Sequence, residues 1–171
     1  MNRVADALVG GWEVTGVTTF QTGFPYSIAA TDVNGLLGTF FQRADLVPGC
    51  NPNSGFTRSI NEWFNTSCFV NPPAGVYGTT KRNFLRAPGI NNWDMGLAKA
   101  FKFGERVAFQ LRIDTFNTFN HPQFDDPPGG LIGFGQGGLT NPGSTLGSAN
   151  FGKITAAAPG RIVQLGGKLT F

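Results

Sequence analysis

Charge is scarce in this sequence. Only 13% of its 171 residues are charged, about half of the roughly 25% usual for soluble domains. The formal net charge of +3 is scattered, and no run of Lys or Arg exceeds Lys81-Arg82. That excludes the concentrated basic stripe by which proteins hold nucleic acid. Long apolar runs are missing as well. None approaches the 18 or more residues of a membrane helix, which leaves open a crossing made by strands. Met1 to Gly11 contain no apolar core of signal-peptide length. Histidine is almost absent: His121 stands alone in Asn120-His121-Pro122, without a nucleophile elbow, and reads as a turn residue rather than a catalytic base.

What is abundant points elsewhere. The chain holds 25 Gly, 17 Phe and 11 Pro. Much Phe, Thr, Asn and Gly with little charge suits a wall that faces lipid. Arg161 to Phe171 gives the clearest pattern. Val163, Leu165, Gly167, Leu169 and Phe171 fall on one face, and Ile162, Gln164, Gly166, Lys168 and Thr170 on the other. Period two marks a strand with one apolar and one mostly polar side. Eleven residues match the roughly 9–11 that a tilted strand needs to cross a bilayer. A terminal aromatic fits the interfacial girdle of an outer-membrane barrel. Val163, Leu165, Leu169 and Phe171 are therefore candidates for an assembly signal.

Three other stretches alternate in the same way. Trp12, Val14, Gly16, Thr18 and Phe20 share a face opposite Glu13, Thr15, Val17, Thr19 and Gln21. Tyr26 and Ile28 resume the pattern after Gly23-Phe24-Pro25, so one kinked strand is expected over about 10–29. Trp93, Met95, Leu97 and Phe101 oppose Asp94, Gly96, Ala98 and Ala100, with Lys99 on the apolar side as a snorkelling residue or a bulge. Val107 to Thr115 repeat the alternation against Ala108, Gln110, Arg112, Asp114 and Phe116. Phe103-Gly104-Glu105 reads as the turn of a hairpin that sets Lys102 near Arg106 and Asp94 opposite Asp114, with Arg112 diagonal to both. The expected fold is all-β, an antiparallel meander of four long strands over about 10–29, 90–102, 106–118 and 161–171. Their alternation fits strands of a transmembrane barrel wall. Two long loops, 30–89 and 119–160, are rich in Gly, Pro and Asn. Arg43–Val47 is expected as a short strand within the first loop, and Phe151–Ala156 as an upward extension of the last strand. Since barrels keep short turns on the periplasmic side, the 103–105 turn is periplasmic and both loops are external. Glu13, Asp94, Gln110, Arg112, Asp114, Gln164 and Lys168 then line the lumen. Trp12, Trp93, Phe101 and Phe103 supply girdle aromatics.

Several motifs occur together: Gly10-Gly11-Trp12, Gly23-Phe24-Pro25, Lys81-Arg82-Asn83-Phe84-Leu85-Arg86-Ala87-Pro88-Gly89, Asp94 with Lys99, Asn117-Thr118-Phe119-Asn120-His121-Pro122-Gln123-Phe124, Phe151-Gly152-Lys153-Ile154, and Arg161 through Gln164 to Phe171. From about residue 8 onward the chain resembles the C-terminal end of TonB-dependent outer-membrane receptors. The branch it is most similar to carries an N-terminal carboxypeptidase-regulatory-like domain. The resemblance implies the last four strands of a barrel of roughly 22 strands, in the outer membrane of a Gram-negative bacterium. It implies energised uptake of a large or scarce solute such as a siderophore or oligosaccharide. Its partners would be outer-membrane lipid, the rest of the barrel with its plug domain, TonB through an upstream segment, and the barrel assembly machinery. An exported barrel carries a signal, so Met1 is expected to be an internal start or the chain a piece of a longer one.

No cofactor, metal or catalytic site is expected. Gly133-Phe134-Gly135-Gln136-Gly137-Gly138 matches a dinucleotide pattern in letters only, because no helix follows. Asp125-Asp126 and Asp32 to Gly35 lack the ligand spacing of a calcium loop. Cys50 and Cys68, the only cysteines, both lie in the first loop. In an oxidising compartment an even pair favours a disulfide. A secreted β-sandwich binding module is the competing reading. It requires residues 30–89 to form a second sheet over Trp12, Val14 and Phe20.

Overall fold

The computed structural model describes residues 9–32, 35, 38, 41–104, 106–124 and 142–171. Ten strands are present among them: β1 (Trp12–Gln21), β2 (Pro25–Tyr26), β3 (Ala29–Thr31), β4 (Phe41–Arg43), β5 (Asp45–Leu46), β6 (Phe69–Val70), β7 (Leu85–Arg86), β8 (Ile90–Phe103), β9 (Val107–Phe116) and β10 (Ile162–Thr170). They divide between two compact units. One comprises residues 1–21, 90–123 and 159–171; the other comprises 22–89 and 124–158. The Gly133–Gly138 run and Asp125-Asp126 lie outside the described residues.

The first unit is a single antiparallel sheet in the order β1-β8-β9-β10. Alternation is what holds all four strands in one register. Trp12 pairs with Lys99, Lys99 with Leu111, and Leu111 with Gly167, all on one face, called the odd face after its residue numbers in β8, β9 and β10 (in β1 the same face carries the even numbers). Glu13 pairs with Ala98, Ala98 with Arg112, and Arg112 with Gly166 on the even face. Slipping any strand by one residue would turn its apolar set to the opposite side.

Two expectations are corrected here. The strand expected over 10–29 ends at Gln21. Pro25, which cannot donate to a ladder, instead starts the short strand β2, paired to β7 in the second unit. The hairpin register also differs from the expected one by two residues. Phe103 pairs with Val107, so the connecting residues are 104–106, one position further on than 103–105. Gly104, at φ +75°, takes the left-handed conformation such a turn requires. Moving the loop by one residue moves every partner by two. Asp114 therefore faces Gly96, not Asp94. The carboxylate of Asp94 instead accepts the Asn117 backbone N–H at 2.8 Å.

Where irregular loops are expected over 30–89 and 119–160, the described residues of the second unit form a packed body. Its core is Ile28, Ala30, Ala44, Phe64, Cys68, Phe69 and Leu85, all buried. Phe64 anchors it, meeting Phe69 and Phe151 edge-on at centroid distances of 5.5 and 5.2 Å. Three two-stranded ladders, β2-β7, β3-β4 and β5-β6, surround this cluster. The expected strand over Arg43–Val47 is split at the buried Ala44 between β4 and β5. Residues 142–154 close onto the same body rather than extending the last strand. Ala29 N–H donates to Ser144 at 2.9 Å, Trp63 N–H to Gly152 at 2.8 Å, and Ile154 N–H to Ile60 at 2.7 Å.

Tyr26 carries a measurable consequence of this packing. Its hydroxyl is buried with no hydrogen-bond partner among the described residues. Burial pushes the phenol well above its ordinary value near 10, while the charge of Arg58 opposes the shift. The folded unit therefore keeps its proton at pH values where the unfolded chain loses it. Stability is fully present below pH about 10 and falls as pH rises beyond it. Tyr26→Phe should flatten this decline, and cost little at neutral pH because the lost hydroxyl has no partner. Denaturant unfolding at pH 8 and 11 measures both effects. An unchanged slope in the variant would contradict the assignment.

Candidate functional site

The four-stranded sheet is the feature with functional character, because its two faces differ in chemistry. The odd face carries Val14, Leu97, Ile113 and Leu165 in one row. The neighbouring row is Gly16, Met95, Thr115 and Val163. These side chains are not packed away: Val14 is 66% exposed, Val163 55% and Leu165 75%. Every residue of β1 and β10 is exposed.

Aromatic residues mark both ends of this apolar face. Near one end, Trp93 meets Phe20 at 5.9 Å and Phe119 at 5.6 Å, both edge-on. Near the other, Phe101 stacks on Phe109 at 6.3 Å, beside Trp12. Trp93 and Phe101 are separated by about 27 Å along β8 at ~3.4 Å per residue. At the usual tilt of about 40° this is a height of about 21 Å, close to the ~25 Å apolar band of outer-membrane barrels.

Lys99 is the charged residue on that face, and it is 4% exposed. No bulge accommodates it, since the pairing of β8 with β1 and β9 is unbroken around it. Its ammonium donates to the Gly10 carbonyl and lies 5.0 Å from the Trp12 ring and 5.5 Å from that of Phe101. The stem thus covers apolar surface while the charge is directed to the end of the strand.

The even face is polar. A shallow depression there is lined by Glu13, Thr15, Gly96, Ala98, Gln110 and Arg112. Arg112 pairs with Asp114 two residues along β9, at 2.9 and 2.7 Å from its Nε to the two carboxylate oxygens. Gly96 makes the floor: a Cβ there would meet Thr15 Oγ1 at 2.6 Å and Asp114 Oδ1 at 2.8 Å. Gln164 pairs with Asp114 and Lys168 with Gln110, which puts all of them on this side. Asp94 shares the face one row beyond Gly96. Alternation alone distributes the polar residues Glu13, Asp94, Gln110, Arg112, Asp114, Gln164 and Lys168. Gly96 and its neighbour Ala98 become meaningful only once the register is known. Val17, Phe116 and Ile162 are apolar exceptions at one end of this face.

The stretch Asn117–Gln123 is a clasp on the sheet. Asn117 and Asn120, both at φ +52°, turn the chain. The Asn117 amide bonds both backbone groups of His121 at 2.9 Å. Gln123 accepts the Asn91 N–H at 2.9 Å and donates to the Asn91 carbonyl, so its side chain occupies the place of a strand partner beyond the end of β9. Asn120 accepts the Arg161 N–H at 3.0 Å, fixing the entry to β10. The lone histidine thus serves a turn. Among the described residues no group of three or more His, Cys, Asp or Glu is placed to hold a metal ion.

Cys50 and Cys68 are joined by a disulfide with Cα atoms 5.4 Å apart. It closes the loop that contains Trp63 and Phe64, and Cys68 is fully buried in the core. Reduction is expected to lower the stability of this unit by about 3 kcal/mol, the entropy released to a loop of this size. A denaturant midpoint that does not move on reduction would contradict this.

A family model described as an outer membrane beta barrel domain matches residues 1–164. The chain belongs to this family. The sheet is therefore barrel wall, and the protein resides in the outer membrane. No curated protein and no solved structure matches the chain. The sandwich alternative required a second sheet from residues 30–89 lying over β1. Among the described residues this stretch contributes only strands of two or three residues, paired in two-stranded ladders rather than in a second sheet, and every residue of β1 is exposed.

Proposed function

We propose that this barrel domain belongs to a TonB-dependent receptor and takes part in energised uptake of a large or scarce solute, a siderophore or an oligosaccharide. The observation that carries the reading is the open sheet. It has an apolar face and a polar one, and among the described residues β1 and β10 are its edge strands. Four strands cannot close, since single-chain barrels start at about eight. Further strands beside β1 and β10 satisfy those edges. A large barrel also leaves a lumen wide enough for a plug.

In this reading the odd face meets outer-membrane lipid, and Glu13, Gln110, Arg112, Asp114, Gln164 and Lys168 face the lumen and the plug domain. The short 104–106 turn is periplasmic, and the second unit is external. TonB engages a segment outside this chain, and the barrel assembly machinery reads Val163, Leu165, Leu169 and Phe171. No catalytic step and no nucleic-acid contact is assigned to the chain. Two tests apply. The DNA upstream of Met1 should encode an in-frame plug domain; a stop codon followed by a separate secretion signal would overturn the reading. Solute uptake should cease when TonB is removed while surface binding persists; TonB-independent uptake would overturn it equally.

A further inference from the structure

The second unit presents three exposed cations that form no ion pair with a carboxylate among the described residues. Arg58 lies over the Trp63 ring, with Cζ 4.9 Å from the centroid. The indole N–H donates to the Arg86 carbonyl at 3.0 Å, which brings the Arg86 segment to the same ring. The Trp63 backbone N–H donates to Gly152 at 2.8 Å, immediately before Lys153. Arg58, Arg86 and Lys153 are all exposed. Among the described residues no ion pair joins Arg58, Arg86 or Lys153 to a carboxylate. Arg58 makes only a long contact to Asn53, at 3.4 Å, and Arg86 only one to Gly23, at 3.3 Å. Glu62, the acid beside Trp63, forms no ion pair with them.

The position of this group is also fixed in advance. Arg58 and Trp63 both lie within the loop closed by the Cys50–Cys68 disulfide. Phe64, next to Trp63, is 1% exposed and holds that loop to the core. A guanidinium that is stacked on an indole, in a loop already ordered, loses little entropy on binding. Its planar fork matches a carboxylate by two parallel hydrogen bonds. The indole edge beside it offers an apolar surface to a ring.

We propose that Arg58 and Trp63 form an anion-recognition subsite, which selects solutes carrying a carboxylate on a ring or chelate scaffold. Arg58 is the principal contact, Trp63 supports the body of the ligand, and Arg86 and Lys153 add attraction at longer range. That the bound anion is cargo rests on the uptake reading; the binding itself does not.

Binding to the full chain in detergent micelles tests this without energised transport. The probes are an oligogalacturonate, its fully methyl-esterified counterpart, and ferric citrate. At least one of the two acids should bind, more weakly as salt rises, and the ester at least about tenfold more weakly than the free oligogalacturonate if that is the acid bound. Arg58→Gln should reduce affinity for the acid about tenfold, the loss of one charge-assisted pair. Arg58→Lys should restore only part, and Arg82→Gln, elsewhere on the unit, should leave affinity unchanged. Trp63→Phe should weaken the sugar acid more than citrate, which separates the two sources of carboxylate. An intact disulfide and unchanged circular dichroism establish that the variants fold. The proposal is overturned if neither acid binds, if ester and acid bind alike, or if Arg58→Gln and Arg82→Gln behave identically. Binding as expected, with uptake that ignores TonB, would instead overturn the transport reading and leave the subsite standing.

Discussion

Replacing Leu169 and Phe171 together by Asp is expected to abolish recovery of folded, heat-modifiable barrel from outer membranes. Leu169 pairs with Phe109 on the apolar face, and Phe171 is 94% exposed at the end of the chain. Direct cost does not explain so large an effect. Charged substitutions near the membrane interface cost only about 0–1 kcal/mol each. A small energetic penalty would lower yield slightly; loss of a recognition signal would remove it. Asp at Thr170, on the polar face between them, is the matched control and should assemble normally. Normal yields from the double variant would show that the terminal strand is not read by the assembly machinery.

The second large effect concerns the chain by itself in water. Trp12, Val14, Phe20, Val163, Leu165, Leu169 and Phe171 are all more than half exposed. Among the described residues no strand pairs with the outer edge of β1 or of β10. Exposed apolar surface next to open edges is the arrangement that drives strands of separate molecules together. The 171-residue chain is therefore expected to aggregate without detergent. In detergent it should show no single sharp melting transition for the sheet, while the second unit, with its own core, melts separately. Size-exclusion chromatography followed by a thermal melt reads both. A monodisperse, detergent-free monomer with one cooperative transition would contradict a lipid-facing wall.

The long strands were legible because their signal is local. β8, β9 and β10 alternate over most of their length, broken by Lys99 on the apolar face and by Phe116 and Ile162 on the polar one, and lipid on one side with water on the other favours that alternation residue by residue. Register was not legible. It depends on where a short turn places its left-handed residue: Gly104 is the first residue of the 104–106 connection, not the middle of a 103–105 turn. The second unit was hidden for a different reason. Ile28, Phe64, Phe69, Leu85 and Phe151 meet across more than a hundred residues with no repeating interval, so Gly- and Pro-rich sequence around them looks like loop. Its disulfide was readable from cysteine count and compartment. The Arg58–Trp63 stack was not, because only the folded loop brings it against the Arg86 and Gly152 segments. Lys99 broke a pattern in the sequence; in the structure it is resolved by Gly10 and Trp12.

The most direct test of the two-faced wall is a nitroxide scan along β10 in the full-length protein in outer membranes. The cysteines already present are tied in a disulfide, so single labelled positions from Ile162 to Leu169 can be compared without interference. Residues 163, 165, 167 and 169 should relax with oxygen dissolved in lipid, and residues 162, 164, 166 and 168 with a water-soluble paramagnetic reagent, alternating with period two. Uniform accessibility along the strand, or the opposite phase, would contradict the assignment of the odd face to lipid.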